Sequence, residues 1–484
     1  MAQEQKIGPG GIGVQNAGSF NTIIVGVGPA KLELDPMQKR RAKPNDEREL
    51  LLTELRATKL VGRDEDLAAL RAWLDGPMPI AVQCRTGRAG IGKTRLAIEL
   101  CERAEAAGWT AGFARADELQ RSFDAQNLTA WRWSQPTLVV VDYAAAFARI
   151  LRAWLEVLAR PDGEKPKLRL LLLERHADAK LGWWADLTRP GGLSGRGPDS
   201  LIDPAEPVPM HSLYAVEHRR ALLANAIAEA ARVLEKPAPT LPAPGTNPEF
   251  DRRLAENALG NEPLYLVMAG RIAIDTGAPE ALALRPGELA RLVAGAEENR
   301  LRRLAASWNI PAELILHLAA CVTLEGGCTR DAVRTLIDAE RQALDYPGPP
   351  PSVKIAKRLA DALPSADGVD AVQPDLIGEA FVLTTIDDNW RSPTEQAAIV
   401  ERAWRRAGVR VVTTVIRTVQ DHAGNDPKHT SLLWFDHLTG LTDDLLSSMR
   451  ILGELPELTI ALRVRLESVY QRASLRSRSI AEAA

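Results

Sequence analysis

The sequence predicts an α/β core built on a parallel sheet, followed by mostly helical segments. Three observations carry the core. A glycine-rich loop, Gly87-Arg88-Ala89-Gly90-Ile91-Gly92-Lys93-Thr94, separates an apolar stretch from an amphipathic one. Thr137-Leu138-Val139-Val140-Val141-Asp142 is an apolar run closed by a carboxylate. Leu168-Arg169-Leu170-Leu171-Leu172-Leu173-Glu174-Arg175 is a second such run, closed by an acid and a base. Apolar runs without alternation suit strands covered on both faces.

In chain order, Pro44 to Arg56 reads as a capped helix with acids in its first turn. Pro79-Ile80-Ala81-Val82-Gln83-Cys84 reads as a short buried strand, and Leu96, Ala97, Leu100 and Cys101 fall on one helical face behind the loop. The loop fits G-x-x-x-x-G-K-[ST], the phosphate-binding P-loop. Its glycines let successive N–H groups converge on a phosphate, and the following helix adds its positive end. Lys93 is placed to reach β- and γ-phosphates, the Thr94 hydroxyl to bind Mg²⁺, and Arg95 to flank them. Asp142 then ends a Walker B strand, where it holds Mg²⁺ through water. Arg175 stands at the carboxyl end of the next strand, where ligands of open α/β sheets bind, and is placed to sense a γ-phosphate. Thr110–Ala114 and Val208–Met210 are candidate edge strands, and Gly182-Trp183-Trp184 reads as an anchored loop. Together these predict an α/β P-loop NTPase core of the ASCE type. Helices follow from Tyr214, interrupted by a proline-rich loop from Lys236 to Pro248, and resume after about residue 392.

Composition bounds the rest. The chain has 484 residues, enough for about three or four domains. Its net charge of −3 gives no global case for nucleic-acid binding. Four cysteines show neither a C-x-x-C pair nor metal-like spacing with histidine, which suits reduced, buried thiols in a cytoplasm. No apolar run reaches the length of a membrane span, and the N-terminus lacks the layout of a secretory signal.

The ordered set of segments resembles the STAND ATPases, the signal-transduction NTPases that include NACHT and NB-ARC proteins. Val61-Gly62-Arg63 precedes the loop by about one helix, as in that family, where this turn packs on adenine. Walker A, Walker B and Arg175 follow in order. Gly260-Asn261-Glu262-Pro263-Leu264 resembles the family's G-x-P turn with one residue added, and implies that Pro263 touches adenine. Leu316 to Ala320, the Gly326-Gly327 turn and Thr329 to Val333 resemble the helix-turn-helix of the family's winged-helix domain, with Pro374 to Leu383 as its last segment. His317 and Asp375 are its candidate contacts to nucleotide. The resemblance covers residues 58–390. It implies an NTPase core over 58–214, a helical domain over 215–300 and a winged helix over 301–390. A linker and helix over 31–57 precede these, and a helical segment over 391–484 follows. Family members usually continue into a long repeat array, so sensing falls to the short C-terminal segment, to a partner, or to a part of the protein beyond this chain. Hydrolysing members carry a second acid after Walker B. Here Tyr143-Ala144-Ala145-Ala146 follows Asp142, with Glu174 the nearest substitute, which implies ATP/ADP binding with at most slow hydrolysis.

Residues 1–30 form a second informative segment. From Gly8 to Gly28 no residue is charged, Thr22 to Val25 is β-prone, and Asn and Gln are interspersed with β-branched residues. Such segments stack in register. They resemble amyloid signalling motifs at the N-termini of bacterial and fungal STAND proteins. The implied function is a switch that forms a homo-oligomer after an unknown trigger and templates a matching motif in an effector, in bacterial defence or regulated cell death. The rival is a STAND-type transcription regulator reading DNA near Arg330 and Arg334.

Overall fold

The computed structural model describes residues 32–440, except 41, 126, 161–164, 181, 191–196, 257–261, 347, 366, 389 and 425, and also 464–465. The expected signalling motif, Gly260-Asn261 and the expected apolar pair Ile451-Leu452 lie outside the described residues.

Six strands form the main sheet: β1 (Leu34–Asp35), β2 (Ile80–Thr86), β3 (Thr110–Ala114), β4 (Thr137–Asp142), β5 (Leu168–Glu174) and β6 (Val208–Pro209). Their spatial order is β1-β3-β4-β5-β2-β6. All pair in parallel except β1, which runs antiparallel to β3 along one edge. β5 therefore lies between β2, which feeds the glycine loop, and β4, which ends in Asp142. That inserted strand marks the ASCE type.

The apolar runs divide by the two-residue period of a strand. Val82, Cys84, Val139, Val141, Leu170 and Leu172 face a core with Trp154, Trp183 and Trp184. Ala81, Leu138, Val140, Leu171 and Leu173 face the opposite core with Leu67, Leu70, Leu96 and Leu100. Helices Asp64–Asp75 and Lys93–Ala106 cover that second face. Trp183 and Trp184 are buried, as anchoring indoles should be.

The helix expected over 44–56 is replaced by two tight 3₁₀ turns, Arg48–Leu51 and Thr53–Leu55. Leu50 and Leu51 are both buried, and burying consecutive residues suits a tight turn better than one face of an α-helix. The expected boundary after residue 300 falls inside one continuous helix, Pro286–Trp308. Helical, winged-helix and C-terminal segments share a single core that runs from Leu213 to Leu438 and also takes in Leu51. The described chain thus packs as an α/β body and one helical body.

Within the helical body, helix Ala312–Leu324 precedes strand β7 (Cys328–Thr329), helices Arg330–Ala343 and Ser352–Ala362, and strands β8 (Pro364–Ser365) and β9 (Gly368–Val369). The order β7-β9-β8, all antiparallel, makes a small winged helix. Its helix-turn-helix pair is Arg330–Ala343 with Ser352–Ala362, one element later than the sequence pattern suggests. The Gly326-Gly327 turn leads instead into β7. Helix Asp375–Ile386 follows the wing, and helices Pro393–Ala407, Val409–Thr418 and Thr430–Gly440 close the described chain. No helix among the described residues is long and apolar enough to cross a membrane.

Candidate nucleotide site

The glycine loop is held from behind. The Gly87 amide donates to the carbonyls of Glu174 and Arg175 at 3.2 Å, which ties the loop to the end of β5. Gly90 (φ +78°) and Gly92 (φ +96°) occupy the left-handed region, which only glycine enters at little cost. The turn they make starts helix Lys93–Ala106 at the mouth of the sheet.

Lys93 Nζ donates to the loop carbonyls of Gly87 (2.5 Å) and Arg88 (3.1 Å). Loss of water pushes its pKa down to about 8, against the pull of Asp142. The Thr94 hydroxyl donates to Asp142 Oδ2 at 2.7 Å, and the Tyr143 amide donates to Asp142 Oδ1 at 3.0 Å. Burial raises the Asp142 pKa, while Thr94 and Lys93 oppose the rise. A hydroxyl beside a carboxylate, next to an ammonium held by the glycine loop, is a donor set that fits Mg²⁺ and a nucleotide phosphate.

These groups open into a cavity of about 420 Å³, within the range of small-molecule sites. Four parts of the chain wall it, one of them the stretch that precedes the core, with Met37, Leu50, Arg56 and Lys59 among its lining residues. The α/β body supplies Val61, Arg63, Ala89, Gly90, Ile91, Gly92, Lys93, Thr94, Arg95, Asp142 and Arg175. Pro263, which opens helix Pro263–Thr276, and Leu264 supply a second wall. Asp370 and the stretch Gln373 to Leu376, just past the wing, supply the third. Val61, Leu222, Pro263, Leu264 and Val267 are apolar parts of the lining, and Lys93, Asp142 and Arg175 are charged ones. A base and its phosphates call for both kinds.

Of the sequence-predicted residues, Gly62, Gly87 and Arg88 do not line the cavity. Gly87 and Arg88 shape the loop through their backbones, and Gly62 (φ +66°) turns the chain into helix Asp64–Asp75. Arg63 reaches the cavity wall, but its guanidinium donates to the carbonyls of His211 (2.6 Å) and Ile91 (2.9 Å) and to Asp66 (3.3 Å). Its evident role is to brace the loop. The Leu264 amide donates to the Gly90 carbonyl at 3.2 Å, so helix Pro263–Thr276 is bonded directly to the loop.

Asp375 lines the cavity, and Tyr143 donates to it at 2.5 Å. His317 does not line the cavity. It is buried one helical turn from Cys321 (3.6 Å) and donates to Glu340 at 2.8 Å. One nitrogen, sulfur or oxygen atom from each of these three lies within 4.8 Å of the other two, a proximity that residue spacing did not reveal. Arg402 and Arg406 occupy the Glu340 carboxylate at 2.7 Å, so the cluster is an ion-pair hub already supplied with cations. Both oxygens of Glu174 accept backbone amides, from Ala145 (3.1 Å) and Arg175 (2.6 Å). Glu174 thus shapes the loop after β4, and Tyr143 holds the position where a second acid would stand. Sequence reasoning missed Glu379, Arg417 and Asp421. They converge on this end of the sheet from remote positions, and no local pattern announces them.

The sheet order, the glycine loop and the Thr94–Asp142 pair define a P-loop NTPase fold of the ASCE type, followed by helical and winged-helix parts. No protein-family model matches the chain, and no curated protein matches it. Solved structures similar to it include the Aeropyrum pernix Orc1 protein in complex with DNA. That match has 15% identity and a TM-score of 0.31, covering 69% of this chain and 96% of the other. Drosophila ORC bound to DNA matches with 15% identity and a TM-score of 0.26, covering 75% of this chain and 96% of the other.

Proposed function

We propose that this chain is an ATP/ADP-dependent signalling switch. The observation that carries the reading is the shared cavity, because one ligand there touches both bodies of the molecule. The P-loop amides and Lys93 hold the phosphates, and Thr94 and Asp142 hold Mg²⁺, which neutralises phosphate charge. Val61 and Pro263 pack on the base. Asp375 and its neighbours fasten the helical body to the same ligand. A nucleotide shifts such an arrangement only through its differential affinity for closed and open forms.

Hydrolysis is slow in this reading, because Tyr143 replaces the second acid and Glu174 is engaged by backbone amides. Opening would let protomers assemble and would concentrate the N-terminal segments, so that segment 7–30 stacks and templates an effector. Bacterial defence or regulated cell death is the biological setting that the family resemblance suggests. Native mass spectrometry of the purified chain tests the switch. The expected result is a monomer carrying ADP and an assembly after exchange into ATP; a nucleotide-free chain indifferent to both would refute it.

A second reading, a DNA-binding regulator, draws on helix Ser352–Ala362. It follows the helix-turn-helix turn and exposes Lys354 and Lys357, although Asp361 and Asp367 lie exposed nearby. A DNA mobility shift that weakens with salt would favour it.

A further inference from the structure

Arg175 lines the cavity close enough to Lys93 for the two charges to act on each other. Its partners come from far along the chain. Nη1 donates to Asp421 Oδ2 at 3.1 Å, and Nη2 lies 3.5 Å from Glu379 Oε1. Glu379 sits on helix Asp375–Ile386, one turn beyond the cavity-lining Asp375. Asp421 sits on a turn of π-helix, Val419–Ala423, that extends helix Val409–Thr418. Such turns are rare and gather at functional sites.

The same segment makes a second crossing. Arg417, four residues before Asp421, donates to Asp375 Oδ2 at 3.1 Å, and its guanidinium stacks 4.1 Å from the Tyr143 ring centre. An acid and a base from segment 409–423 thus grip a base and an acid at the cavity. The Arg175 and Glu379 side chains are 8% and 3% exposed, so screening by water is weak. The other Glu379 oxygen lies 3.7 Å from His422 Nε2. Burial pushes the Glu379 carboxyl well above its ordinary range and Asp421 adds to the rise, against Arg175. The charge of Arg175 is therefore answered first by Asp421, with Glu379 beside it as a carboxyl that burial drives toward its neutral form.

We propose that Asp421 sets the preference of the site for a nucleoside diphosphate over a triphosphate, by holding Arg175 away from a third phosphate. The inference rests on reading the cavity as a nucleotide site. A diphosphate needs only the loop amides, Lys93 and the Thr94–Asp142 pair. A third phosphate adds charge at this end of the sheet, and to draw on Arg175 it must compete with Asp421. Like charges crowded into a poorly solvated place repel strongly. By linkage, whatever a triphosphate takes from the Arg175–Asp421 pair, loss of that pair returns to triphosphate affinity. Segment 409–423 is then the part of the chain that registers the third phosphate.

The test titrates the full chain with ADP and with a non-hydrolysable ATP analogue, comparing wild type, Asp421→Asn and Glu379→Gln. Asp421→Asn should move the affinity ratio toward the triphosphate by roughly 5- to 150-fold. Glu379→Gln should move it the same way by less, and it carries the test if the first variant does not fold. Asp426→Asn, an exposed change whose carboxylate accepts the Lys428 amide, should leave the ratio unchanged. Hydrogen exchange over 409–423 should be slow with ADP and faster with the analogue. Unchanged ratios in both variants, with both nucleotides bound, overturn the role of Asp421 alone. Failure of the folded wild type to bind either nucleotide overturns the nucleotide reading with it.

Discussion

Lys93 is a cation kept short of water by the loop that positions it, and this makes nucleotide binding sensitive to pH. Free, its pKa stands near 8. A bound phosphate favours the charged form and raises that value. The attraction is complete below pH 8 and fades as pH rises above it. ADP affinity should therefore fall from pH 7.5 to 9.5, and calorimetry in buffers of different ionisation enthalpy should show proton uptake near pH 8.5. Lys93→Ala should weaken ADP by about 10- to 150-fold, the size of a lost charge-assisted hydrogen bond. An equal affinity in that variant would place the phosphates elsewhere. Tyr143 marks where residue-level reading was sound and incomplete together. Its position after Asp142 announced a missing acid, but its bond to Asp375 across 232 residues could not be read from neighbours.

Elements are held together at two close-packed points. Helices Val216–Leu234 and Pro263–Thr276 cross where Gly270 meets Ala226. A Cβ at Gly270 would lie 2.5 Å from the Ala226 Cβ and 3.1 Å from backbone. Gly270→Ala should therefore cost about 1–3 kcal/mol despite its better helix propensity, seen as a lower Tm. Glu340 joins helix Arg330–Ala343 to His317 of helix Ala312–Leu324 and to Arg402 and Arg406 of helix Pro393–Ala407. Burial opposes its ionisation, but those partners hold its pKa far below the usual carboxylate range. The depressed value means that its contribution is present above about pH 4.3, the ordinary glutamate pKa, and is lost as pH falls below it. Glu340→Gln should lower stability by about 3–5 kcal/mol at neutral pH, and by less in acid. Denaturant midpoints at pH 7 and pH 4 measure both. Strands β2, β4 and β5 and the glycine loop were legible because each is a continuous local pattern. The turns at 48–55, the short wing and the π-helical turn were not, since tertiary packing decides them within a few residues. His317 shows the limit of pattern. Its place in a helix was visible, but its acidic partner lay 23 residues away on another helix.

At the scale of the molecule, the α/β body has a core on each face of its sheet, and the helical body has one core throughout. The cavity lies where the two bodies meet. A ligand there should act as a bridge, so ADP should raise the Tm of both bodies together. At one hundred times its Kd, it should add about 2.7 kcal/mol to stability. Lys93→Ala should remove that gain without lowering the Tm of the free protein by a comparable amount. The boundaries between helical segments were hard to place from sequence because a shared core leaves no compositional break. The central claim is that the Lys93 pocket grips a nucleotide, and calorimetry of the intact chain with ADP and Mg²⁺ measures this most directly. The account predicts saturable one-site binding that Lys93→Ala abolishes or weakens at least about tenfold. Folded wild-type protein that takes up no ADP at millimolar concentration would contradict it.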